Sequence, residues 1–121
     1  MKRSYLPRRG DLIWLDFTPQ AGHEQSGHRP AVVISNDQYN SKVGLLLGCP
    51  VTSQRKQYPF EVLLPEGLPI SGVVLADQVR SLDWKSRRAV FICRLDEEVL
   101  SEILGKLAAL IDHEKAGPAS R

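Results

Sequence analysis

Arg29 stands directly before Pro30 and the apolar run Ala31-Val32-Val33-Ile34. Its backbone is therefore anchored at the mouth of a buried strand. The stretch before it, Thr18 to Arg29, concentrates His23, Glu24, Gln25, His28 and Arg29 between two strand-like segments. That is more chain than a hairpin needs, and functional groups gather on such loops. A guanidinium presents a planar fork of donors matched to phosphate oxygens. Thr52 follows Pro50 at the end of another apolar run, where a hydroxyl can project from the rim of a fold. An Arg, a hydroxyl and one acid or base could carry cleavage of RNA by its own 2′-hydroxyl. That chemistry needs proton transfer and stabilisation of charge on the phosphorane, but no protein nucleophile. Each residue also has a plain structural reading: Arg29 as a cap on strand-end carbonyls, Thr52 as an ordinary strand terminus, the loop as solvated surface.

Competing chemistries leave no trace. There is no P-loop, dinucleotide fingerprint or Ser-His-Asp spacing. Cys49 and Cys93 lie in apolar runs without a CxxC partner or a nearby pair of histidines. They read as buried free thiols of a reducing compartment, not as zinc ligands, and no cofactor is expected. No apolar h-region follows the charged N-terminus and no apolar run approaches ~20 residues, so the expectation is a soluble cytoplasmic protein with no membrane partner. A net charge of +2 does not identify a nucleic-acid binder. The clusters Lys2, Arg3, Arg8, Arg9 and Arg80, Lys85, Arg87, Arg88 either attract phosphates or form solvated surface.

The elements that must position these groups follow from periodicity. A chain of 121 residues, 42% hydrophobic and 25% charged, has the size and composition of one domain. Asp11 to Phe17 alternates as a strand, with Ile13, Leu15 and Phe17 on one face and Leu12, Trp14 and Asp16 on the other. Pro30 opens a buried strand to Ser35. Asn36 and Asp37 cap a helical turn through Asn40. Val43 to Cys49 reads as a strand interrupted by Gly44 and Gly48, with Pro50-Val51-Thr52-Ser53 just beyond it. Tyr58–Leu64, Gly72–Ala76 and Arg88–Arg94 read as further strands. Asp96 is a helix N-cap, with Glu97 and Glu98 in the first turn and an apolar stripe from Val99 to Ile111. Short strands followed by one helix predict an α+β domain over 1–112, a small β-barrel with a C-terminal amphipathic helix, and a disordered tail at 113–121.

The segments Gly10–Phe17, Glu24–Ser35, Pro50–Ser53, Tyr58–Val62 and Gly72–Asp83, in that order, resemble the MazF/PemK family of toxins, and the similarity runs from Tyr5 to Ile111. The resemblance implies an SH3-like barrel acting as a homodimer. It implies metal-independent, sequence-specific cleavage of single-stranded RNA (mRNA), leaving a cyclic phosphate and a 5′-hydroxyl and so inhibiting translation and growth. It also implies a cognate antitoxin whose acidic tail covers the RNA site. Residue by residue, Arg29 and Thr52 match the family's catalytic Arg and Thr, and Glu24 its acidic loop residue. Asp16, Phe17, His28, Ser53 and Gln78 fall beside the substrate.

Within that reading an Arg with a pKa above ~12 is a poor proton shuttle, so Arg29 is the clamp for phosphorane charge. Thr52 holds the scissile phosphate or relays a proton, and Glu24 and His28 are the candidates for base or acid. Trp14 and Phe17 either pack or stack on bases; Tyr39 and Tyr58 are equally open. Trp84 is equally open between packing and stacking, and its neighbours Arg80, Lys85 and Arg87 also suit a dimer seam or a positive RNA path. The rivals are a gyrase-poisoning toxin of the same architecture and a non-catalytic RNA-binding barrel. The former is associated with a C-terminal Trp and Ile pair, and this sequence ends Pro118-Ala119-Ser120-Arg121.

Overall fold

Alternation along Asp11–Asp16 would bury every second residue, yet Leu12, Ile13 and Leu15 are all fully buried. The sheet they belong to is covered on both faces. Leu12 packs with Val32, Cys49, Val62 and Val74 in one cluster, closed by Ile103, Val99 and Leu107. Ile13 and Leu15 pack with Val33, Leu46, Leu82 and Trp84 in a second, closed by Tyr5 and Leu6. The computed structural model describes residues 4–16 and 27–113. The expectations for Phe17, Glu24 and the tail from position 114 lie outside those residues.

Along the described residues the elements are β1 (Asp11–Asp16), β2 (His28–Val33), α1 (Asp37–Val43), β3 (Leu45–Thr52), β4 (Glu61–Leu63), β5 (Val73–Leu75), β6 (Arg80–Asp83), β7 (Val90–Arg94) and α2 (Glu97–Ile111). All strand pairings are antiparallel, in the order β4-β5-β3-β2-β1-β7, with β6 also joined to β3. β3 is the hub. Its first half, Leu45–Gly48, pairs with β6, while Val51 and Thr52 pair with β5. One strand serving two neighbours along the same edge must bend between them, and the sheet curls into a barrel-like form capped by α2. A bulge between Leu12 and Ile13 bends β1 against β7. The result is the expected α+β domain, although the ladder does not close on itself among the described residues.

The helices start and stop where their caps dictate. The Asn36 side chain accepts from the Tyr39 N–H, and Gly44, in the left-handed region at φ 81°, ends α1. α1 thus runs three residues past Asn40 and takes Val43, which the sequence assigned to a strand; Val43 is half exposed, as a helix surface position. The Asp96 carboxylate accepts from the Val99 N–H to begin α2.

Other corrections have equally local causes. β6 was not expected, because only Leu82 of its four residues is buried and no alternation betrays it. The strand expected from Tyr58 shrinks to β4, since Tyr58–Glu61 is a turn closed by the Glu61 N–H on the Tyr58 carbonyl. Trp84, which the sequence left open, is buried, and its indole N–H donates to the Asn40 carbonyl at 3.1 Å. Asn40 itself is fully buried, its amide donating to the Pro7 and Ser35 carbonyls at 2.9 and 3.2 Å. Of the two thiols Cys49 is buried and Cys93 only partly so. No helix among the described residues is long and apolar enough to cross a membrane.

Candidate RNA-cleavage site

The register of the central strands decides which polar residues meet. β2 and β3 pair Val32 with Cys49 and Ala31 with Pro50. The ladder ends at that last pair; Arg29 and Thr52 lie two residues beyond it on β2 and β3, and both line one cavity of about 660 Å³. Arg29 was expected at the end of a loop. It is instead the second residue of β2, paired with Leu15, and His28 pairs with Asp16. Thr52 was expected just past a strand and is the last residue of β3, whose ladder runs on through Pro50. Both groups are therefore carried by sheet rather than by loop, which fixes their backbones.

Thr52 is half-buried, and its hydroxyl oxygen accepts from the Gln54 N–H at 3.1 Å. A hydroxyl that accepts from its own turn still has its proton to donate outward. On the opposite side the cavity is walled by Ile70 and Ser71, and Gly72 holds that segment tightly against the Thr52 backbone.

Of the residues expected beside the substrate, His28, Ser53 and Gln78 line this cavity together with Arg29 and Thr52. Asp16 does not. It ends β1, with its N–H on the Arg87 carbonyl at 2.8 Å and its carbonyl accepting from Arg87 at 3.3 Å. Phe17 and Glu24 fall outside the described residues. Trp14 and Arg80 also line the cavity. The Trp14 ring lies 6.0 Å from the exposed His28 ring. The basic cluster read around Arg80 is dispersed in the fold. Arg80 faces the cavity, Lys85 lies over the Trp84 ring at 5.4 Å, and Arg87 clamps the end of β1.

A second cavity of about 350 Å³ adjoins the first and shares Thr52, Leu75 and Gln78 with it; Gln54, Lys56, Tyr58 and Glu61 complete its walls. The Glu61 carboxylate accepts from the backbone N–H groups of Lys56 and Gln57 at 2.7 and 2.8 Å. The Tyr58 hydroxyl donates to Asp77 at 2.6 Å. That bond is the main reason the Tyr58 pKa is raised, since ionisation would forfeit it beside a carboxylate. No group of three or more His, Cys, Asp or Glu side chains that could hold a metal occurs among the described residues.

This fold belongs to a known class. The model of the PemK-like, MazF-like toxins of type II toxin–antitoxin systems matches residues 8–111, and the chain belongs to that family. It is 50% identical over 111 residues to the endoribonuclease toxin MazF of Escherichia coli K12, covering 92% of this chain and 99% of the relative. The endoribonuclease PemK of Escherichia coli is 34% identical over 120 residues, covering 92% and 90% respectively. Among solved structures, a MazE-MazF crystal structure from Deinococcus radiodurans superposes with a TM-score of 0.87 at 56% identity, covering 92% of this chain and all of that one.

Proposed function

We propose that this protein is a toxin endoribonuclease that cleaves single-stranded mRNA at a short specific sequence by attack of the substrate's 2′-hydroxyl, without a metal. The observation that carries the reading is that Arg29 and Thr52, at the ends of the neighbouring strands β2 and β3, line one open cavity. A phosphodiester seated between them meets a guanidinium fork for its non-bridging oxygens and a hydroxyl donor. Arg29 stabilises the charge that develops on the phosphorane, and Thr52 holds the scissile phosphate or relays a proton. His28 and Glu24 are the groups for proton transfer, with His28 on the same cavity. Ser53 and Gln78, on the same cavity, contact the flanking nucleotides, and Phe17 joins them on the strength of the family resemblance. Relatives named as an endoribonuclease toxin and an endoribonuclease support this activity.

The same reading places the protein in the cytoplasm as a homodimer restrained by a cognate antitoxin with an acidic tail. A relative's crystal structure with MazE supports the antitoxin. The experiment is incubation with a synthetic single-stranded RNA library in EDTA, followed by mapping of the cut ends. Cuts at one short motif, with 2′,3′-cyclic phosphate and 5′-hydroxyl termini, are the expected outcome. Intact RNA, or cutting that returns only with added metal, refutes the reading.

A further inference from the structure

We infer that Arg80 holds a second phosphate of the RNA, further along the strand than the one being cut, and so anchors the substrate away from the chemistry. The inference rests on the nuclease reading of Arg29 and Thr52. Its ground is the face that β3 turns to the larger cavity. Strand alternation puts Gly48, Pro50 and Thr52 on one side, and all three line that cavity. Arg80 is the partner of Gly48 across the β3–β6 ladder, so its side chain leaves the sheet on the same side. It is exposed and lines the same cavity.

Distance assigns the two ends of this face to different phosphates. Gly48 stands four residues before Thr52 on β3, a rise of roughly 13 Å along the strand. That is more than a phosphate group spans, so the cation at the far end addresses another one. The floor between them holds no phosphate of its own, since Pro50 has no N–H to donate and its partner on β2 is Ala31. Gly48 keeps the ground in front of Arg80 open. A Cβ there would already meet Leu46 Cδ1 at 3.1 Å and Leu82 Cδ1 at 3.6 Å.

Charge points the same way. Among the described residues no Asp or Glu lines this cavity, whereas Arg29 and Arg80 both do. Such a cleft attracts a chain of phosphates, and each guanidinium fork matches phosphate oxygens. The neighbouring cations are turned elsewhere. Lys85 lies over the Trp84 ring and Arg87 holds the Asp16 carbonyl, and neither lines the cavity. Arg80 is the member of that basic cluster that serves the substrate.

The test uses the wild-type protein's own best-cut oligonucleotide and a set in which each phosphate in turn is a neutral methylphosphonate. In wild type, neutralising one phosphate other than the scissile one lowers kcat/KM by roughly tenfold. Arg80→Gln loses about that factor on the unmodified oligonucleotide, loses nothing more from that one neutral phosphate, and responds as wild type does to the others. Its single-turnover rate at saturating enzyme stays at the wild-type value. Its binding of an uncleavable oligonucleotide, with 2′-deoxyribose at the cut, depends on log salt with a slope smaller by roughly 0.7, the share of one phosphate contact. A loss in Arg80→Gln that adds to that of every neutral phosphate overturns the proposal. So does a fall in the saturating rate, which assigns Arg80 to the scissile phosphate. A wild-type scan in which no phosphate but the scissile one matters overturns it however the variant folds. A wild-type protein that cuts no RNA overturns the nuclease reading as well.

Discussion

Gly72 lies so close to Thr52 that a Cβ on it would meet the Thr52 carbonyl oxygen at 2.4 Å. The contact is backbone against backbone, at the point where the Thr52–Val73 pair joins β3 to β5. Gly72 also has a φ of +134°, which side-chain-bearing residues rarely adopt. Gly72→Ala is therefore expected to cost roughly 2 kcal/mol of stability and to slow cleavage by moving Thr52. Urea denaturation and single-turnover cleavage measure the two effects. Wild-type values in both would show that the close approach does not position Thr52.

Some of this arrangement was legible in the chain and some was not, for local reasons. Ala31–Ile34 is read easily because all four residues are buried, and α2 because its stripe buries Leu100 and Ile103, although Ile111 at its end is exposed. Arg29 was read as loop because its neighbour His28 is exposed and polar, although both pair with β1. β6 has a single buried side chain and left no pattern. Trp84 was left open because its partner, the Asn40 carbonyl, is distant in sequence. Arg29 and Thr52 were readable as individual candidates. Their sharing of one cavity depends on how β2 and β3 pair, and the Ile70–Ser71 wall depends on the closeness of Gly72; neither is written in local composition.

Asp11 is 2% exposed and accepts from the Tyr5 hydroxyl, the Arg8 N–H and Arg94, the last at 3.0 Å. Asp11→Ala leaves those donors unmatched beneath the N-terminal segment, and a loss of roughly 3 kcal/mol is expected. Arg94→Ala should cost far less, about 1 kcal/mol, because half of that side chain already faces water. Chemical denaturation of the two variants compares them directly. Equal costs would mean that the ion pair, not the buried carboxylate, organises the segment.

Burial, with a smaller contribution from Asp77, pushes the Cys49 thiol from 9.0 up to about 12. The unfolded chain then releases this proton at lower pH than the folded one, so stability falls as pH rises across that window. The contribution is whole below 9.0 and is lost by about 12. Tyr5, raised first by burial and then by its bond to Asp11, adds a loss above 10.0. Thermal melts from about pH 8 to about pH 11 should therefore decline, and less steeply in Cys49→Val. Parallel slopes in the two proteins would contradict this.

Gly105 is exposed in the interior of α2, with open space where a Cβ would go. Gly105→Ala is expected to stabilise the protein by about 1 kcal/mol, read as a rise in melting temperature. A fall would mean that α2 does not tolerate a side chain on that face.

The central claim is that Arg29 and Thr52 act together on one phosphate. The most direct measurement is single-turnover cleavage of one RNA oligonucleotide by wild type, Arg29→Ala, Thr52→Val and the double variant, each verified to be folded. Each single change is expected to lower the rate by roughly a hundredfold to a thousandfold, and the double variant by much less than the product of the two, because residues serving one transition state are not additive. Near-wild-type rates in either single variant would contradict the assignment.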